Sequence, residues 1–146
     1  MWVRLRAAEP RDFADLRAMA EAFHAEDRNP IDAKAEAAAL IFSLGHAGIC
    51  AWLAFSGAET VGYVVLAIRR DAFGTREAEI EELYALPKNR VALAAAILEG
   101  VCDAAFTRGA RRIFVALAQS EIGRRYFFAR HGFAPDRTGY GMRLLP

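Results

Sequence analysis

The stretch "AEIEELYAL", residues 78–86, carries the residues best suited to acid–base chemistry. It reads as a strand, and strict alternation puts Glu79 and Glu81 on one side together with Leu83 and Ala85. Glu82 is expected to face the other way. Two carboxylates on one face raise each other's pKa. Such a group can take a proton from an alkyl ammonium, which titrates near pH ~10 and must lose a proton before it acts as a nucleophile. The alternative is a pair of solvated edge charges bridged to arginines. A second candidate follows at once. "LYALPKNRVALAAAILEG", Leu83 to Gly100, runs from strand to helix through a short polar turn. Unpaired amides and the dipole make a helix N-terminus attractive to anions whatever its side chains. Glycine, which usually lines such turns, is missing until Gly100. Lys88 and Arg90 add positive charge. The plain alternative is a helix start packed on a sheet.

Other chemistry is thinly represented. His24, His46 and His131 show no metal-ligand spacing, so no metal is expected. Cys50 and Cys102 lie in apolar surroundings and read as buried free thiols. The net charge of +1 gives no global reason to expect nucleic acid or membrane as a partner. Apolar runs stay far below the ~20 residues of a membrane span. The charged start "MWVRLRAAEPRD" lacks an apolar signal region, and a cytoplasmic location is the expectation.

The 146 residues are expected to form one domain, residues 1–146. "WVRLRA" alternates as a half-buried strand. Pro10 and Asp12 open a helix whose apolar face is Phe13, Leu16, Ala20 and Phe23. "NPIDAKAEAAALIFSLG" is a second helix, with Asn29 as cap, Pro30 first and Gly45 as stop. "ICAWLAFS" and "TVGYVVLAIRR" form a hairpin around "GAE", and the Glu-bearing strand follows. Leu93, Ile97, Val101 and Ala105 then repeat at helical spacing, to Gly109. A strand over Arg111–Ala118, a short helix from Glu121 to His131 and a closing strand "GYGMRLL" complete the chain. The order β-α-α-β-β-β-α-β-α-β predicts a mixed α/β domain, a central mixed sheet flanked by helices.

This order, with the residues at its joints, resembles the GNAT superfamily of acyl-CoA-dependent N-acetyltransferases over nearly the whole chain. The family's strand ends Leu-x-Val-x-Pro; here Leu83-Tyr84-Ala85-Leu86-Pro87 stands there. Its loop reads Arg/Gln-x-x-Gly-x-Gly/Ala; here Asn89, Ala92 and Ala94 take the three defined places, with Val91 and Leu93 between them. A shifted register would give the first place to Arg90. The resemblance implies that acetyl-CoA binds along Leu83, Tyr84 and Ala85 and at the amides from Asn89 to Ala94. It implies that the binding strand splays from the strand beginning near Arg111. Near the C-terminus Glu121 replaces the family's Asn, Arg124 its Ala, and Phe128 its frequent catalytic Tyr, while Gly132-Phe133 is kept. Glu121 and Phe128 are thereby expected at the cofactor. In several GNAT enzymes a Glu at the Glu79 position serves as base. The acceptor is expected between the first two helices and the hairpin, where His24, Glu26 and Asp27 either meet a cationic amine or form a solvated loop. The implied activity is acetyl transfer from acetyl-CoA to an amine, with a homodimer possible. The alternative is a catalytically impaired acyl-CoA-binding or regulatory domain.

Overall fold

In a computed structural model the structure describes residues 2–117, 121–136 and 139–144. The elements are β1 (Arg4–Ala7), a 3-10 turn (Pro10–Asp12), α1 (Phe13–Ala25), α2 (Pro30–Ser43), β2 (Ile49–Ser56), β3 (Glu59–Arg70) and β4 (Arg76–Ala85). Then come α3 (Arg90–Thr107), β5 (Arg112–Ala116), α4 (Ile122–Arg130), β6 (Ala134–Asp136) and β7 (Gly139–Arg143). The expected order holds, with one short strand, β6, in addition. The expected ends at Ala118 and Leu145 lie outside the described residues.

One seven-stranded sheet runs β1-β2-β3-β4-β5-β7-β6. Its neighbours are antiparallel except for β4 and β5, which are parallel. The β2–β3–β4 strands are rich in branched and aromatic residues and are buried on both faces, as their continuous apolar runs require. On one face Val64, Leu66, Ala78, Ile80 and Ala85 meet the α3 stripe of Leu93, Ile97 and Val101. On the other, Leu53, Tyr63, Val65 and Tyr84 meet Leu16 and Ala20 of α1 and Ala37 and Leu40 of α2. The stop of α2 is as expected: Gly45 has φ 82°. So is its cap, where the Asn29 side chain accepts the Asp32 N–H at 2.9 Å. Cys50 and Cys102 are free and half-buried, and burial pushes the Cys102 thiol up to about 11.

A charge pair ties β1 to the start of α1. Arg6 donates to both Asp12 oxygens, at 2.8 and 2.9 Å, and the Glu9 N–H donates to Asp12 Oδ2 at 2.8 Å. The Arg6 bonds, and then the Glu9 amide, lower the Asp12 carboxyl to about 2. A carboxyl held below its unfolded value stabilises the fold above that unfolded value, ~3.9, and ceases to do so as pH falls towards 2. Asp12→Asn should therefore lower the melting temperature at pH 5–7, and the gap to the parent should close between about pH 4 and about pH 2. A gap constant over that range in paired thermal melts would remove the ion pair as its cause.

Candidate active site

The sheet opens where β4 and β5 part. Their parallel ladder holds only from Glu77 opposite Arg112 to Glu79 opposite Phe114. Beyond it, Ile80–Ala85 on one side and Val115–Leu117 on the other line a cleft of about 330 Å³. The N-terminus of α3 closes one end, and α4 forms a wall through Glu121, Gly123, Arg124, Phe127 and Phe128.

A β-bulge sits in the middle of the β4 wall. Val65 pairs with Glu82 and Leu66 with Ile80, so Glu81 is the extra residue. The bulge resets the alternation, and one expectation fails here. Ala78 and Ile80 share the α3 face with Leu83 and Ala85, so Glu79 lies on the opposite face from Leu83 and Ala85. Glu82 joins Glu79 on the face of α1 and α2, with Tyr84. Glu79 and Glu81 are brought together all the same: Arg69 reaches Glu79 at 3.6 Å and Glu81 at 3.3 Å. Burial first, then the Glu81 charge, raises the Glu79 carboxyl, with Arg69 opposing. Glu81 lines the cleft; Glu79 does not.

Glu82 takes the better-formed position. Its side chain is 14% exposed and lines the cleft. The Tyr63 hydroxyl donates to its Oε1 at 2.7 Å, and His24 Nε2 lies 3.2 Å from the same oxygen. Burial, then the Glu82 charge, raises the Tyr63 phenol and keeps it protonated as a donor. Alternation alone hides Glu82. The available signal was the adjacent pair Glu81-Glu82, a doubling of polar residues inside a period-2 strand.

The turn into α3 has no glycine, and an asparagine takes its left-handed position. Asn89 holds the left-handed conformation (φ 59°, ψ 32°), which Asn tolerates better than most residues. The first regular helical bond runs from the Leu93 N–H to the Asn89 carbonyl at 2.9 Å, and the Arg90 N–H reaches Pro87 at 3.3 Å. The N–H groups of Val91 and Ala92 are left without a backbone acceptor at the mouth of the cleft. Val91 and Ala94 line the cleft. Ala92 is exposed, and Leu93 is buried in the core, so its side chain is not available to a ligand. Arg90 folds back instead of outward. Its Nε donates to the Ala85 carbonyl at 2.9 Å, its guanidinium pairs with Glu26, and it lies over the Tyr84 ring at 5.4 Å.

The α1–α2 corner leans over this arrangement. Glu26 pairs with Arg90, and Asp27 lies 3.8 Å from Arg124, which also donates to Glu121 at 3.2 Å. His24 faces Glu82. Glu26 and Asp27 are exposed, and each has an arginine of the chain itself as partner. Phe128 is 4% exposed, edge-on to Phe127 and Phe133 with centroids 5.2 Å apart in each case, yet it also lines the cleft. Tyr126 is 64% exposed and has no part in the wall.

An open parallel pair with a helix N-terminus at its mouth defines a class, and sequence comparison places the chain in it. The Acetyltransferase (GNAT) family model matches residues 12–133, and the protein belongs to that family. Solved structures agree on the fold. A crystal structure assigned to the GNAT family, from Desulfovibrio desulfuricans, has a TM-score of 0.76 at 19% identity, over 99% of this chain and 100% of that one. An aminoglycoside acetyltransferase from an uncultured soil metagenomic sample has a TM-score of 0.74 at 19% identity, over 94% and 95% of the two chains. A GNAT acetyltransferase from Staphylococcus aureus has a TM-score of 0.72 at 14% identity, over 99% and 100%. No curated protein matches the sequence. Among the described residues no helix is long and apolar enough to cross a membrane, and no cluster of His, Cys, Asp or Glu could hold a metal ion.

Proposed function

We propose that this protein transfers the acetyl group of acetyl-CoA to a primary amine that arrives as a cation. The observation that carries this reading is the parting of β4 and β5 beyond Glu79, with the unpaired Val91 and Ala92 amides at its mouth. An extended pantetheine arm fits between two parted strands, and a pyrophosphate fits a helix N-terminus. The resident side chains suit both substrates. Phe128, Leu83 and Val115 give the cleft apolar walls, and Glu26, Glu81, Glu82 and Glu121 put carboxylates around it against two arginines, Arg90 and Arg124. That excess of negative charge favours a cationic acceptor over an anionic one.

The amine nitrogen forms the bond to the acyl carbon, and the C–S bond breaks with its electron pair going to sulfur. N–H groups on the β4 edge left unpaired by β5 beyond Glu79 are the available donors for charge developing on the acyl oxygen. Calorimetry and thermal shift with acetyl-CoA, CoA and a longer acyl-CoA test the reading. Acetyl-CoA should bind and raise the melting temperature. Its affinity should fall short of a glycine-loop relative's by about 1–2 kcal/mol, the scale of one or two imperfect hydrogen bonds. No heat and no stabilisation at millimolar acetyl-CoA would end the proposal.

A further inference from the structure

At the end of α3 far from the cleft, we infer a second ligand site, a pocket for the diphosphate group of a small soluble molecule. The pocket has a volume of about 550 Å³, and its cations are Arg69, Arg70, Arg76 and Arg108. That volume lies within the usual range for small-molecule sites. Arg108 caps the C-terminal end of α3, whereas Val91 and Ala94 near the other end line the cleft. The helix has 18 residues, so its ends stand about 27 Å apart at ~1.5 Å per residue. The two pockets share no lining residue.

The β3–β4 hairpin brings these cations together. Ile68 and Ala78 lie on the α3 face of the sheet. Two residues further towards the turn on each strand, Arg70 and Arg76 share that face. They stand directly opposite each other in the ladder. Like charges so placed cost stability, and Arg108 adds a third cation. Among the described residues none of the three forms an ion pair. The nearby acids are engaged elsewhere. Glu79 and Glu81 hold Arg69 at 3.6 and 3.3 Å, and Glu77 lies 3.7 Å from Arg112. Asp71 Oδ1 accepts the Phe73 and Thr75 N–H groups at 2.8 and 2.9 Å.

Each of the three arginines is oriented by a contact that leaves its charge unbalanced. Arg70 Nη1 donates to the Gly74 carbonyl at 2.7 Å, and Arg76 Nη1 donates to the Arg108 carbonyl at 2.8 Å. The Arg108 guanidinium lies over the Trp52 ring at 5.0 Å. A guanidinium has five N–H donors, so most of them stay open. The alternative is three solvated cations that staple the hairpin to the helix end. It accounts for each contact but not for two arginines face to face where one acid would relieve the repulsion. The C-terminus of α3 carries about half a negative charge, which offsets only part of three cations.

Guanidinium groups grip phosphate oxygens in bidentate fashion. One phosphate group carries about −1.5 to −2 at pH 7, so two linked phosphates match three guanidiniums better than one. Ile49 and Ile68 give the pocket an apolar side for the organic part of the ligand. A nucleic acid or an anionic membrane calls for an extended basic face, but the net charge is +1 and these cations line one concavity.

Calorimetric titration with pyrophosphate and with ADP, in low salt, tests the site in the parent, Arg70→Gln, Arg70→Glu and Ala92→Asp. Pyrophosphate also fits the N-terminus of α3, and Ala92→Asp places a carboxylate there, so this variant tells the two ends apart. It should still bind one equivalent. Arg70→Gln should weaken binding about tenfold, the loss of one charge-assisted contact, and Arg70→Glu should abolish it. Arg70→Glu also sets an acid opposite Arg76, so without ligand its melting temperature should rise by about 1–4 °C. Lost binding in a more stable protein is not misfolding. No heat with either probe at millimolar concentration overturns the inference. So does binding that survives Arg70→Glu, or binding that disappears in Ala92→Asp. A single-stranded oligonucleotide and phosphatidylglycerol vesicles complete the set, and binding to either without saturable pyrophosphate binding also overturns it. No readout uses acetyl transfer, so this site stands or falls apart from the acetyltransferase reading.

Discussion

Gly62→Ala is expected to lower the unfolding free energy by about 3 kcal/mol, at the upper end of what overpacking a filled core costs. Gly62 lies on β3 opposite Ala85 and beneath α3. A methyl group there would stand 2.3 Å from the Tyr84 carbonyl oxygen, 2.8 Å from Ile97 Cδ1 and 3.2 Å from the Ala85 Cα. Two of these three neighbours are backbone of the strand that walls the cleft, so relief requires β4 or α3 to move. The melting temperature should fall by roughly 10 °C, given ~2–4 °C per kcal/mol for a chain of this size. A second substitution separates the causes. Ile97→Val removes only the Cδ1 contact, so the double variant should recover part of the loss and remain below the parent. Urea denaturation measures both. A cost under about 1 kcal/mol would mean that β4, and the α3 start that follows it, shifts freely. The α3 N-terminus would then be a poor fixed anchor for an anion.

The same region shows what could be read from the sequence and what could not. Periodicity located α1 and α3, because each buries a stripe and exposes the rest, and capping residues located α2: Leu93, Ile97 and Val101 were legible as the α3 core face and are buried. The hairpin and the Glu-bearing strand were legible as apolar runs between turns. The strand β6 was not, since three residues including Pro135 carry too little pattern.

Within the site the limit was phase. "EIEEL" satisfies alternation in either register, and only the pairing of β4 with β3 decides where the extra residue goes. A single inserted residue moves every later side chain to the other face. So Glu82, read as facing away, lines the cleft beside His24. Leu83 and Ala85, read as companions of Glu79, lie on the opposite face. Long-range charge pairing was equally invisible. Arg90 reads as a free cation at a helix start, but its partner Glu26 stands 64 positions earlier in the chain. Resemblance supplied what pattern could not: the splay of β4 from β5 was implied by the family likeness, and the two strands part beyond Glu79.

Ala92→Asp should weaken acetyl-CoA binding by about 100-fold while making the protein slightly more stable. Ala92 is exposed, and it is the third residue of α3. A carboxylate in the first turn of a helix interacts favourably with the dipole and the open amides, by about 0.3–1 kcal/mol. α3 has no acid there at present, so nothing already holds that advantage. For a bound pyrophosphate the same carboxylate is a like charge. At roughly 5 Å and an effective dielectric near 20 the repulsion is about 3 kcal/mol, which is the 100-fold loss in affinity. The opposite signs make the experiment decisive, because a substitution that merely damaged the fold would lower both quantities. Ala92→Asn controls for size and should change affinity little. Ala92→Lys should tighten binding and slightly weaken the helix. Calorimetry and thermal melts in low salt report the two quantities independently, and added salt should shrink both effects. Should Ala92→Asp raise stability and leave affinity untouched, the phosphates do not sit at this helix end. The amides of Val91 and Ala92 would then be ordinary solvated caps, and the parting of β4 and β5 would have to hold its ligand by some other route.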